Sequence, residues 1–220
     1  MEILRWAHTS LAAWATLAQG GQQAVHPSLV TVQDDPGLPR VLLIGDSISM
    51  GYTCPVRALL QGTANVHHIP ENGGATTRGV ANLSRWLEPG PWDVIYFNFG
   101  LHDLKYMPDG TRQVPADEYE KNLMQITSAL RQTGARLIWA STTPVPQGDL
   151  SPIRHDADVV AYNALAQGIM DHNGILISDL YSLALPRLPE LQQPVNVHFS
   201  EYGSRMLAGW VADSIEQALS

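Results

Sequence analysis

The chain has 220 residues, enough for one α/β domain with a full core. Its 45% hydrophobic and 15% charged residues are those of a globular protein, not a disordered one. A formal net charge of −8 without any Lys/Arg cluster argues against nucleic acid or an anionic membrane surface as the main partner. The single cysteine, Cys54, excludes an intrachain disulfide.

Residues 1–40 read as a leader and linker ahead of one domain over residues 41–220. Arg5 and the run Trp6 to Ala18 have the early charge, apolar middle and small residues of a secretory leader. Glu2 and the polar residues inside the run weaken that reading. Leu4, Leu11, Trp14 and Leu17 also share one face of an amphipathic helix. The balance favours a secreted or periplasmic protein and leaves a cytoplasmic place open. Gln19 to Arg40, rich in Gly, Gln, Asp and Pro, is a linker. No stretch is long and apolar enough to span a bilayer.

From Val41 the chain alternates between strand-like and helix-like segments. Val41-Leu42-Leu43-Ile44 is too short for a helix and suits a buried parallel strand, with Gly45 to end it. Asp46-Ser47 follows, and a helix runs from about Tyr52 through Val56–Leu60 to Gly62. Asn65–Ile69 is a second strand, closed by Pro70. Thr77–Leu87 is a helix, and Asp93–Gly100 is the most strand-like run in the chain. Pro115–Gln132 is a helix with Tyr119, Leu123, Ile126 and Leu130 on one face and Gly134 as its stop. Arg136–Ser141 is a fourth strand, Val159–Met170 a helix, and Gly174–Ser178 a fifth strand. Glu201–Leu219 closes the chain as a helix with Leu207, Trp210, Val211, Ser214 and Ile215 on one side. Such alternation predicts a three-layer α/β/α sandwich around a flavodoxin-like parallel sheet of about five strands.

Ligands on such sheets sit at the carboxyl ends of the strands. Ser47 lies beyond the first strand, beside a helix N-terminus, where Asp46 or Ser47 taken alone reads more readily as a simple cap. Glu71-Asn72-Gly73-Gly74-Ala75-Thr76-Thr77 follows the second strand, and Gly100-Leu101-His102-Asp103 the third. Asn196-Val197-His198-Phe199-Ser200 precedes the last helix. A hydroxyl, glycine amides and two imidazoles are the parts that acyl transfer needs: a nucleophile, a base and oxyanion donors.

Gly45-Asp46-Ser47-Ile48, Gly73-Gly74-Ala75-Thr76-Thr77, Gly100-Leu101-His102-Asp103 and Val195-Asn196-Val197-His198 resemble, in order and spacing, the four blocks of the SGNH (GDSL-type) hydrolases. These are serine esterases on a flavodoxin-like fold. The resemblance runs from about Val41 to the C-terminus. It implies Ser47 as nucleophile and first oxyanion donor, Gly74 as second donor with Gly73 as its competitor, and His198 as general base. It implies no metal and no cofactor.

Two positions depart from the family pattern. His102 stands where an asparagine usually donates to the oxyanion. Its ring N–H can donate in the same direction, or act as a second base or substrate contact. Val195 stands where the acid usually precedes the histidine, and a valine cannot orient an imidazole. Asn196 could accept from Nδ1 instead, as in Cys-His-Asn enzymes, and a backbone carbonyl or Asp179 are the alternatives. The expectation is therefore an esterase with a Ser47–His198 dyad steadied by Asn196. It would act on a short acetyl-type ester, in the manner of an acetylesterase, on a small molecule or carbohydrate. The competing readings are a non-catalytic binding module and a lipase- or thioesterase-like activity on longer chains.

Other candidates fade. His67 and His68 alternate faces on a strand and do not share a metal. Asp103-Leu104-Lys105 reads as a local ion pair. Trp86, Trp139 and Trp210 fall at apolar positions and read as core, not sugar platforms.

Overall fold

The computed structural model describes residues 25–220, so the leader-like residues 1–18 and the start of the linker lie outside the described residues. The strands are β1 (Arg40–Ile44), β2 (Asn65–His68), β3 (Val94–Phe97), β4 (Arg136–Ala140) and β5 (Leu176–Ser178). They form one sheet in the order β2-β1-β3-β4-β5, with every neighbouring pair parallel. Side chains alternate between faces along a strand, and over β1, β3 and β4 both faces are covered, which is why these strands read as near-continuous apolar runs, whereas Leu176 and Ile177 on the edge strand β5 are exposed.

Helices α1 (Ser47–Leu59) and α7 (Glu201–Leu219) cover one face; α2 (Thr76–Leu87), α3 (Ala116–Arg131) and α4 (Asp156–Asn173) cover the other. Leu42, Ile44, Ile95, Phe97 and Trp139 point into the core under α2–α4. Val41, Leu43, Val94, Tyr96 and Ile138 point into the core under α1 and α7. Complete burial of each such aliphatic side chain stabilises the fold by about 1.5–3 kcal/mol. Among the described residues no helix is long and apolar enough to cross a membrane.

Several boundaries differ from the sequence reading. Helix α1 starts at Ser47, not near Tyr52. The run Ser47-Ile48-Ser49-Met50-Gly51 has little helix propensity of its own, but burial of Ser49, Tyr52 and Thr53 overrides it. Strand β3 ends at Phe97, and Asn98 turns its amide to donate to Ala140 O (2.7 Å) and Thr142 Oγ1 (3.2 Å). Trp86 and Trp139 are core, whereas Trp210 and Ser214 lie half-buried at the rim of α7. Two short helices, α5 (Leu180–Ala184) and α6 (Leu188–Leu191), carry no clear periodicity in the sequence. The described part of the linker is docked: the Arg57 guanidinium on α1 donates to Pro27 O, Ser28 O and Val30 O.

One buried polar pair ties β2 to α1 behind the sheet's carboxyl end. His68 Nδ1 donates to Ile69 O at 2.6 Å, and Nε2 meets Ser49 Oγ at 2.7 Å. Burial pushes the His68 imidazole down to about 4. Between pH 6.5 and that value the unfolded chain binds a proton at His68 that the folded chain refuses. The contribution of His68 to folding stability therefore falls as pH drops through this window, by roughly 3 kcal/mol. Chemical denaturation should show His68→Gln losing less stability than the wild type between pH 6.5 and 4. Parallel profiles for the two proteins would remove His68 from this role.

Candidate active site

The carboxyl ends of β1, β2 and β3 meet at one rim. Asp46 caps α1, its Oδ1 accepting from Ile48 N at 2.9 Å. Ser47 is thereby the first helical residue, with a backbone N–H that has no acceptor inside the helix. Asp46 is the cap of the two readings, and that assignment leaves the Ser47 hydroxyl unburdened by capping. Glycine is required where this turn meets the loop after β2. A Cβ at Gly45 would stand 2.8 Å from the Ser49 side chain, and one at Gly73 would stand 2.8 Å from Gly45 O. The two loops touch backbone to backbone, with Gly73 N donating to Gly45 O at 2.8 Å.

Gly74 follows with φ +64°, a conformation that favours glycine, and its N–H donates to Asn72 Oδ1 at 2.9 Å. The two glycines thus differ. The Gly73 N–H is committed to a buried carbonyl, whereas the Gly74 N–H is held by a side chain that can rotate away.

His198 comes from the turn before α7. Val197 and Phe199 on either side are buried, Gln193 N donates to His198 O at 2.9 Å, and the His198 ring is left facing outward. Its Nε2 lies 2.9 Å from Ser47 Oγ, and its Nδ1 lies 2.8 Å from Asn196 Oδ1. The same Oδ1 accepts from His198 N at 2.9 Å. A backbone N–H can only donate, so the Asn196 atom facing it is the amide oxygen. That oxygen can only accept, so Nδ1 carries the ring proton of the neutral imidazole. Nε2 then presents its lone pair to the Ser47 hydroxyl.

Val195, at the usual place of the acid, has φ 48° and is half exposed. Its side chain is aimed at Gly148, where an added Cβ would stand 2.8 Å from Cγ1. A left-handed backbone at a β-branched residue is strained and persists only where its surroundings over-determine it. Asp179 does not serve His198: its Oδ1 accepts from Ser141 Oγ (2.9 Å) and Ser182 N (3.1 Å), capping α5.

His102 Nε2 stands 3.9 Å from Asp46 Oδ2, too far for a hydrogen bond. Burial lowers the affinity of His102 for a proton, more than the Asp46 charge raises it, with Arg154, Lys105 and His198 also lowering it. Burial thus favours the neutral ring, which has one N–H to give. Asp103 is not paired with Lys105. It is buried, accepts from Thr76 N (2.9 Å) and the Thr76 hydroxyl, and is pushed up to about 7 by burial. It pins the start of α2, and with it the glycine loop, to the loop after β3.

Ser47 and His198 lie between two hollows. One, of about 350 Å³, is lined by Asn72, His102, Ser151, Arg154 and Asn196 among others. The other, of about 280 Å³, is lined by His26, Met50, Gly51, Phe199 and Ser204. Asn72 and Arg154 were not singled out by the sequence. Asn72 stands in the quoted glycine loop, but Arg154 lies in the long segment between β4 and α4 and carries no motif. Only the length of that segment marks it as a place for function.

The family model described as GDSL-like lipase/acylhydrolase matches residues 43–206. An arylesterase of Vibrio mimicus is 27% identical over 110 residues, covering 45% of this chain and 52% of that protein, so the chain spans about half the length of this relative. The lipase/acylhydrolase from Enterococcus faecalis has a similar structure: TM-score 0.71, 20% identity, 82% of this chain and 96% of that one. Axe2, an acetylxylan esterase from Geobacillus stearothermophilus, superposes with TM-score 0.67 at 19% identity, over 80% of this chain and 94% of that one. At these identities the structural likeness establishes the fold, that of the SGNH hydrolases.

The hydrogen-bond directions above predict a tautomer. Nitrogen NMR of the neutral His198 ring should show the proton on Nδ1 in the wild type and a shift towards the Nε2–H form in Asn196→Ala. An unchanged tautomer in the variant would show that Asn196 does not set it.

Proposed function

The chain belongs to the GDSL-like lipase/acylhydrolase family, and we propose that it is a carboxylic ester hydrolase that removes a short acyl group, acetyl above all, from a small-molecule or carbohydrate alcohol. The observation that carries this reading is the unbroken hydrogen-bond chain from Ser47 Oγ through His198 to Asn196 Oδ1 at the mouth of a cleft. Ser47 Oγ attacks the acyl carbon while His198 Nε2 takes its proton. The carbonyl oxygen becomes an oxyanion facing the Ser47 N–H, the His102 ring N–H, and the Gly74 N–H once Asn72 Oδ1 gives way. Collapse breaks the bond to the alcohol, which leaves with the proton from His198. Water then attacks the acyl-serine by the same route, releasing the acid and restoring Ser47. Each oxyanion donor is worth roughly 10²–10³ in rate.

Asn196 cannot neutralise an imidazolium as a carboxylate would. In the serine proteases, replacing the triad aspartate by asparagine costs about 10⁴ because the histidine takes the wrong tautomer. Here the His198 N–H turns the amide oxygen towards Nδ1 and supports the right one, so the loss is smaller. The polar wall of Asn72, His102, Ser151 and Asn196 suits a hydroxyl-rich alcohol better than a long alkyl chain. The description of the Geobacillus protein as an acetylxylan esterase points the same way. A non-catalytic binding module is the competing reading, favoured by the valine at the acid position.

Hydrolysis of p-nitrophenyl acetate should fall to background in Ser47→Ala; equal rates in both proteins would leave the binding module. Asn196→Ala should lower kcat about 10- to 100-fold and Asn196→Asp should match or exceed the wild type. As an oxyanion donor, His102 should be replaceable by Asn with most activity kept, while His102→Ala loses about 10²–10³. A collapse of His102→Asn to the level of His198→Ala would make His102 a base instead.

A further inference from the structure

The chain is acidic overall, with 21 Asp and Glu against 13 Lys and Arg, yet among the described residues no carboxylate lines the larger hollow beside Ser47. Its one permanently charged lining group among the described residues is Arg154. Arg154 Nε donates to Leu101 O at 2.8 Å and Nη1 reaches Pro152 O at 3.4 Å, which fixes the guanidinium plane and leaves its other donors unassigned. Arg40, Arg78, Arg85, Arg112, Arg187 and Arg205 each pair with a carboxylate. Arg154 has no such partner among the described residues; Asp46 attracts it only from beyond ion-pair distance. Arg57, Arg131 and Arg136 also lack carboxylates, but their guanidinium groups are bonded to carbonyl oxygens away from this hollow.

A partly desolvated cation without a counter-charge is costly unless a ligand supplies one. Two parallel N–H donors in one plane match the two oxygens of a carboxylate. From this placement, and resting on the esterase reading, we infer that Arg154 is an anion-binding residue and that the substrate is an ester carrying a carboxylate near its scissile bond. The carboxylate belongs either to the alcohol or to the acyl part, and the two are separable. The net charge of the whole chain does not oppose this, because charges beyond about 8 Å are screened at physiological salt.

The test uses the full chain and isosteric ester pairs. On the alcohol side, 3-acetoxybenzoate is compared with 3-acetoxybenzamide; on the acyl side, monoethyl succinate with ethyl succinamate. The wild type should prefer the anionic member of one pair in kcat/KM by about 10- to 100-fold. Arg154→Gln should bring that ratio close to one, and Arg154→Lys should keep part of it. The pair showing the preference identifies the side bearing the carboxylate. Equal ratios in the wild type and Arg154→Gln, or no preference in either pair, would overturn the inference. Calorimetric binding of 3-hydroxybenzoate against 3-hydroxybenzamide, and of succinamate against succinamide, separates this outcome from failure of the esterase reading. A preference for the anion that Arg154→Gln abolishes, without any ester turnover, would sustain the Arg154 site and sink the esterase. Loss of both turnover and binding preference would sink both.

Discussion

A single backbone donor, the N–H of His198, sets the direction of the hydrogen-bond chain from Ser47 through His198 to Asn196. It points at the Asn196 side chain and so forces the amide oxygen, not the nitrogen, to face the imidazole. The oxygen then demands the proton on Nδ1, which leaves Nε2 able to accept from Ser47 Oγ. A carboxylate would fix the same tautomer by having only acceptors. An amide has one end of each kind and needs an external donor to choose between them. The two-residue turn from Asn196 to His198 provides that donor without any further side chain.

The rest of the fold holds the ends of this relay in register. Ser47 and His198 are 151 residues apart and approach because the strand β1 and the turn before α7 both emerge at the carboxyl edge of the sheet. Helices α1 and α7 pack against each other over the same sheet face, so the hydroxyl and the imidazole sit at the ends of two mutually buried helices. Asp46 starts α1 at Ser47, Asp103 ties the glycine loop to the loop after β3, and the Gly45–Gly73 contact closes the gap between them. Each tie is a local bond that would not tolerate a bulkier or differently charged residue.

The strands β1, β3 and β4 and the long helices were legible because burial on both faces leaves near-continuous apolar runs and the helices repeat at 3.6 residues. The meeting of Ser47, His102, Asn196 and His198 at one hollow was legible in outline from loops at strand ends and from the order and spacing of four motif blocks. The start of α1 was not, since tertiary burial and a cap outweigh the weak propensity of Ser47 to Gly51. The engagement of the Gly74 N–H by Asn72 depends on a side-chain rotamer, which no periodicity encodes. The positive φ of Val195 and its approach to Gly148 arise from two loops far apart in sequence. Arg154 was invisible for the same reason, because its significance lies in the carboxylate it lacks.

The proposed chemistry depends on activation of Ser47 by the relay, which can be tested without knowing the substrate. A fluorophosphonate probe reacts with a serine whose hydroxyl proton is taken by a neighbouring base. Intact-mass analysis should show one adduct on the wild type, located at Ser47, with none on Ser47→Ala and strongly slowed labelling on His198→Ala. An unlabelled wild type, or labelling that persists equally in both variants, would contradict the central claim.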